Sequence, residues 1–248
     1  MSITLITGAS SGIGRGLALR MAAAGETVVV MARRQALLDT LVDEIHAAGG
    51  RAVAMAADVT RPDEVMAAVS HVEARLGAID RLVANAGGGR PVDARRFTAG
   101  PVDEALRLNV LGVAHCVEAV LPAMLERRSG HLVVTSSLAG YRGLPSAAAY
   151  GAAKAGVTHM METLRIELHD SGIDVTVILP GFVRTKPRKK GKAKPLSIEA
   201  DDAARRMQQA IERRAAYVAF PASLRLAVAI ARVLPAGLYD RLVRSIAR

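Results

Sequence analysis

Tyr150 and Lys154 stand four residues apart, a spacing that places both side chains on one face of a helix. Ser137 lies thirteen residues before the tyrosine, and Asn109 lies further upstream. A phenol titrates near ~10 when unperturbed, and a neighbouring ammonium favours its ionised form, so Lys154 is expected to lower the pKa of Tyr150. Such a pair can pass a proton to or from a substrate oxygen as general acid or general base. A serine hydroxyl beside it can hydrogen-bond that oxygen as charge develops there. Near the N-terminus the chain reads Thr7-Gly8-Ala9-Ser10-Ser11-Gly12-Ile13-Gly14. A glycine-rich turn lets backbone come close to a pyrophosphate. A helix opening near Ile13 then aims free N–H groups and its positive dipole end at the phosphates. Gly8, Ser10, Ser11, Gly12, Ile13 and Gly14 are therefore candidate cofactor-binding residues. The two groups together imply a nicotinamide-dependent oxidoreductase.

Each residue has a plainer reading when taken alone. Ser137 could cap a strand end, Asn109 could cap a kink, Tyr150 could be an ordinary aromatic at a helix start, and Lys154 a surface charge. The end of the second expected strand bears on the cofactor. Enzymes that take NAD usually place Asp or Glu there to accept from the ribose 2′-hydroxyl. This chain has Met31-Ala32-Arg33-Arg34 instead. An arginine fork suits a 2′-phosphate, so Arg33 and Arg34 point to NADP(H). The plain alternative, two solvated arginines opening a helix, leaves the missing acid unexplained.

The elements that must position these groups alternate along the chain. Short β-branched runs at 3–6, 27–31, 51–55, 81–84, 131–135, 174–179 and 216–219 read as strands. Helical patterns fill 13–24, 35–48, 62–76, 101–126, 149–171 and 198–213, with two shorter ones at 224–234 and 238–246. Gly25, Gly49-Gly50, Gly77, Gly130 and Gly172 stand where helices should stop. Ser197 reads as a helix N-cap. Runs such as Val28-Val29-Val30 are apolar on consecutive positions, as in strands buried on both faces. The expected fold is α/β: a doubly wound, mostly parallel sheet of seven strands with helices on both faces. One domain is expected over 1–221, with a lid at about 184–213 and a helical extension over 222–248.

The chemistry-bearing residues resemble the short-chain dehydrogenase/reductase family over residues 2–185. The glycine signature matches in full. Asp58, with Val59 beside it, matches the acidic position after the third strand that contacts adenine in relatives. Asn85-Ala86-Gly87 matches the motif after the fourth strand, and Asn109, Ser137, Tyr150 and Lys154 match the catalytic four. Pro180-Gly181, with Val183 and Thr185 following, matches the segment that holds the nicotinamide amide. The resemblance implies a Rossmann-type fold and hydride transfer between cofactor and a small carbonyl or alcohol substrate. It also implies that Lys154 bonds the nicotinamide ribose and that Asn109 holds a proton-relay water. A homo-oligomer, dimer or tetramer, is expected by the same likeness.

Composition narrows the remaining possibilities. Hydrophobic residues make up 51% and aromatics 3%, so Ala, Val, Leu and Ile must fill the core. Cys116 is the single cysteine, which excludes an internal disulfide and suits a reducing, cytoplasmic setting. It reads as buried packing. The six histidines are scattered singly without metal-ligand spacing, so no metal is expected. No signal peptide is visible, and no uninterrupted apolar run approaches the ~20 residues of a spanning helix. The net charge of +10 is uneven: from Arg184 onward there are 16 Lys and Arg against 5 Asp and Glu, and 17 against 18 elsewhere. Seven basic residues fall within 184–195, which reads either as a solvated lid or as a guide for an anionic, carrier-linked substrate. The extension beyond 221 interleaves Leu, Val and Ile with arginine. It can pack on the body, join subunits or touch an anionic membrane. Nucleic-acid binding is disfavoured, because the charge is confined to the tail and no motif for it is present.

Overall fold

The computed structural model describes residues 2–184 and 196–246. Each expected strand forms within one residue of its expected ends: β1 Ile3–Thr7, β2 Thr27–Ala32, β3 Arg51–Ala56, β4 Arg81–Ala84, β5 Gly130–Thr135, β6 Ile173–Pro180 and, in the tail, Tyr217–Phe220. Two further short strands, β7 Val183–Arg184 and β8 Ile198–Glu199, pair with each other, so the tail strand is β9. The main sheet has the order β3-β2-β1-β4-β5-β6-β9, and every pairing in it is parallel. Side chains alternate across a strand, so the apolar runs feed two cores. Leu5, Val29, Leu82, Val134 and Val177 enter one, while Ile6, Val28, Val83, Val133 and Ile178 enter the other.

The helices that cover the sheet are α1 Gly12–Ala23, α2 Gln35–Ala47, α3 Pro62–Leu76, α4 Gly100–Leu106, α5 Gly112–Glu126, α6 Ala148–Glu167 and α7 Ala200–Glu212. α3 shows why the boundaries were readable. Pro62 opens it, Asp63 and Glu64 sit in its first turn, and Gly77 ends it at φ 98°. The chain leaves β1 toward β2 on one side and returns to β4 on the other. That reversal opens a crevice beyond the carboxyl ends of the strands.

Four expectations need correction. The single helix expected over 101–126 is broken by a π-helical segment, Arg107–Leu111, between α4 and α5. Taken whole, Gly100–Glu126 is long and apolar enough to cross a membrane by length and composition, although His115 and Glu118 interrupt its apolar run. Its Val113, Cys116, Val117, Val120 and Met124 are nevertheless buried in the core. Ser197 does not cap a helix; the chain stays extended through β8 and Glu199 occupies the cap. Gly130 opens β5 rather than ending a helix, and Arg128 takes the left-handed turn at φ 50°. A Cβ on Gly130 would stand 2.5 Å from Met124 Sδ, so the glycine serves packing.

Gly172 does not end its helix either: α6 stops at Glu167 with Leu168 as its cap, and Gly172 takes the left-handed region, at φ 81°, in the turn just before β6. A Cβ there would collide with the Arg128 carbonyl oxygen. Strain and collision together make Gly172→Ala destabilising by about 2 kcal/mol or more. A chain of this size then loses about 4–8 °C of Tm, measurable by thermal unfolding followed by circular dichroism.

Candidate active site

The crevice is a cleft of about 570 Å³ lined from Gly8 through Arg33, Asp58, Ala86 and Tyr150 to Val183. Its floor is the turn after β1. Gly8 and Gly12 adopt φ 67° and 60°, which L side chains rarely take. A Cβ on Gly8 would lie 2.8 Å from Ala86 Cα, and one on Gly14 would lie 2.6 Å from both Asn85 Nδ2 and the Gly8 carbonyl oxygen. Gly14 therefore packs behind the turn and does not line the cleft, whereas Ser10, Ser11, Gly12 and Ile13 do. Thr7 fastens the facing loop: its Oγ1 accepts from the N–H groups of Asn85 and Ala86, both at 3.0 Å. Asn85 in turn donates to the Thr7 carbonyl and accepts from Thr135 Oγ1.

The groups present fit a dinucleotide. Ser11 precedes α1 in extended backbone and makes no side-chain cap, which leaves the first N–H groups of the helix open toward the cleft. At the far end Arg34 Nη2 donates to Ser10 Oγ at 2.9 Å and reaches Ser11 Oγ at 3.4 Å. Arg33 stands in solvent 3.7 Å from Asp58 Oδ2. Asp58 is occupied locally, its Oδ1 accepting from the N–H and hydroxyl of Thr60. Val59 lines the cleft and packs where Gly112 lets α5 pass.

The opposite end gathers the four candidate catalytic residues. Lys154 is no surface charge: it is 3% exposed, and its Nζ donates to the Thr135 carbonyl at 2.7 Å. Burial lowers its pKa from 10.5 to about 8. Nζ sits 5.7 Å from the centre of the Tyr150 ring. The phenol is shifted upward, against the sequence expectation. Its own burial outweighs the opposing hydrogen bond from Ser137. Ser137 Oγ accepts from Ala139 N–H at 3.1 Å and approaches the Pro180 carbonyl at 3.4 Å. Asn109 is fully buried in the π-helical segment. Its amide donates to the carbonyls of Gly88 and Ala105 and accepts from Gly88 N–H, so both amide hydrogens are taken. The side chain thus holds the loop after β4. Gly87 fits here because a Cβ would lie 2.7 Å from Asn109 Oδ1 and 3.0 Å from Lys154 Nζ.

Pro180, Gly181 and Val183 border the same end. Thr185 and the basic run 186–195 lie outside the described residues. Three supporting residues escaped the sequence reading. Ser136 ties β5 to α6 through the Lys154 carbonyl at 2.9 Å. Gly140 lets the turn after Ser137 press on α6, since a Cβ there would come 2.8 Å from Ala155 N. Arg142, two residues on, reaches the tail helices α8 Ala222–Val233 and α9 Ala236–Ile246. Its guanidinium donates to the carbonyls of Ala231 and of Leu234, the latter at 2.8 Å, and lies 4.0 Å over the Tyr239 ring. Tyr239 donates to the Gly143 carbonyl at 2.5 Å. Repeated arginines with carbonyl-rich helix ends carry no periodic signal, which is why Arg142 could not be singled out.

Fold and site define a nucleotide-binding oxidoreductase with a Rossmann-type sheet. The short chain dehydrogenase profile matches residues 2–195, and the chain belongs to that family. A protein of Myxococcus xanthus described as an uncharacterized oxidoreductase is 42% identical over 241 residues, 97% of this chain and 95% of that one. A 3-oxoacyl-[acyl-carrier-protein] reductase of Synechocystis is 38% identical over 195 residues, 78% of this chain and 79% of its own. A crystal structure of a short chain dehydrogenase/reductase from Burkholderia phymatum in complex with NAD superposes with a TM-score of 0.83 at 27% identity, covering 92% of this chain and 91% of that one.

Two outcomes follow. Arg142→Ala frees the tail from the Ser137 turn and is expected to lower kcat roughly tenfold while cofactor affinity stays within about twofold. Equal losses in both would place Arg142 outside this role. For Lys154 the folded pKa of about 8 lies below the ordinary 10.5. The folded chain then binds fewer protons than the unfolded one between those values, so this group's contribution to stability rises with pH across that window. Lys154→Met is expected to raise Tm at pH 7, with the gain shrinking as pH climbs from about 8 to 10.5. A gain independent of pH would show that the lysine is not shifted.

Proposed function

We propose that the chain is an NADP(H)-dependent reductase of carbonyl compounds, equally an alcohol dehydrogenase in reverse, with Tyr150 as general acid and base. The observation that carries this reading is one cleft with two ends. Tyr150, Ser137 and the buried Lys154 meet at one, while Arg33 and Arg34 stand at the other in place of an acid after β2. The open N–H groups at the start of α1 would hold the phosphates of a nicotinamide cofactor, which would supply the hydride for the substrate carbon.

The chain's own residues do the rest. Burial holds the Tyr150 phenol protonated, poised to give its proton to the carbonyl oxygen. The Ser137 hydroxyl donates to the same oxygen as negative charge grows there. Lys154, anchored on the Thr135 carbonyl, lends positive charge behind the phenol and would hold the ribose hydroxyls of the cofactor. Arg33, with Arg34 drawn from Ser10, forms a guanidinium pair for a 2′-phosphate. Asp58 serves the adenine side, and Asn109 keeps the Gly87–Gly88 loop in place. A homo-oligomer, dimer or tetramer, belongs to this reading, since family members commonly assemble so.

A second reading gives the substrate an acyl or other lipid-linked carrier. It is supported by the 38% identity to a 3-oxoacyl-[acyl-carrier-protein] reductase and by the basic run after Arg184. A regulator that binds NADPH without turnover has less support, because the full set Asn109, Ser137, Tyr150 and Lys154 is retained.

Absorbance at 340 nm with NADPH, across ketones, aldehydes and acyl thioesters, tests the proposal. Turnover is expected to fall by roughly 10²–10⁴ in Tyr150→Phe while NADPH still binds. The double change Arg33→Ala, Arg34→Ala is expected to raise KM for NADPH by roughly 10- to 100-fold and to leave NADH nearly unchanged. Undiminished turnover in Tyr150→Phe would remove the mechanism, and equal effects on both cofactors would remove the 2′-phosphate assignment. Preference for thioesters would favour the carrier-linked substrate.

A further inference from the structure

The tail helices carry apolar residues on two faces, and only one face is used. On α8, Leu224 and Val228 pack against the body, with Leu224 lying where a Cβ on Gly181 would stand. The opposite side presents Leu226, Ile230 and Val233 at spacings of four and three residues, 63%, 53% and 80% exposed. On α9, Tyr239 is buried, while Leu238 and Leu242 remain 53% and 45% exposed. The pair is not a loose appendage. Arg142 caps α8 through its last carbonyls and stacks on Tyr239, and Tyr239 bonds back to Gly143. The apolar stripe is therefore held outward by the body itself.

Charge bears on what this stripe could meet. Between residues 222 and 246 there are four arginines, Arg225, Arg232, Arg241 and Arg244, against one acid, Asp240. All four arginines are exposed. A second copy of this chain docking through the stripe would bring two such arginine sets together. An anionic lipid surface offers the opposite charge and an apolar interior for the leucines. We propose that α8 and α9 form a fixed docking surface for an anionic bilayer, with Leu226, Ile230, Val233, Leu238 and Leu242 entering the interface and the arginines meeting headgroups. The helix that touches the bilayer is also the one that touches Gly181 at the cleft. Docking thus brings the substrate end of the cleft near the lipid surface. The proposal stands on the tail alone and does not depend on the cofactor or the substrate.

The test is sedimentation of the purified full chain with vesicles of phosphatidylcholine alone and of phosphatidylcholine with an equal share of phosphatidylglycerol. Binding is expected to favour the anionic vesicles by roughly tenfold or more and to weaken in high salt. Leu226→Ser, Ile230→Ser and Val233→Ser together are expected to abolish it. The same variant should keep the parent's thermal midpoint and NADPH affinity, which separates loss of docking from loss of fold. The proposal is overturned if the parent stays in the supernatant with both vesicles. It is equally overturned if the variant sediments like the parent, or if the variant only becomes a smaller oligomer while vesicle binding persists.

Discussion

The ammonium of Lys154 is held out of water on one backbone carbonyl, that of Thr135, and the Tyr150 end of the cleft is arranged around that contact. A buried charge with so few partners is expensive, and the protein answers by lowering its pKa toward neutrality. The same contact fixes α6 against the end of β5. Ser136, bonded to the Lys154 carbonyl, fixes it a second time. With α6 fastened there, Tyr150 one turn earlier can stand only over the cleft. Gly87 and Gly140 lack side chains where the neighbouring backbone must come within contact of this helix or its lysine.

The electrostatics of the pair differ from what spacing alone suggests. Two titratable groups four residues apart invite the view that the lysine ionises the tyrosine. Here burial acts on both and favours the neutral form of each. The phenol is thus kept protonated. The hydrogen bond from Ser137 pulls the phenol the other way, and the turn that carries Ser137 is braced from outside by Arg142 and the tail. The extension therefore reaches the Tyr150 end of the cleft through a chain of named contacts, from α8 to Arg142 to the turn that carries Ser137.

The glycine-rich turn shows how little sequence a binding floor requires. Gly8 and Gly12 supply left-handed backbone, and Gly14 lets α1 start directly behind the loop after β4. Thr7 joins the two loops with a single hydroxyl. Because β1 and β4 are neighbours only through the sheet's reversal, that junction exists only once the parallel order is complete.

Sequence by itself determined the strands and their order of appearance, since consecutive β-branched residues, capping glycines and Pro62 are local signals with local causes. It also determined the chemical types at the site, because Tyr150, Lys154 and the glycine turn act through spacing along a single element. What it could not determine depended on partners far along the chain. The break at Arg107–Leu111 arises where the buried Asn109 binds Gly88 and Ala105. Gly130 proved to be a packing residue because Met124 folds over it. The upward shift of the phenol, the burial of Lys154 and the capping of α8 by Arg142 all come from desolvation or from contacts between distant segments. Tertiary structure alone decided these, because burial and long-range hydrogen bonds exist only after the sheet has closed its two cores.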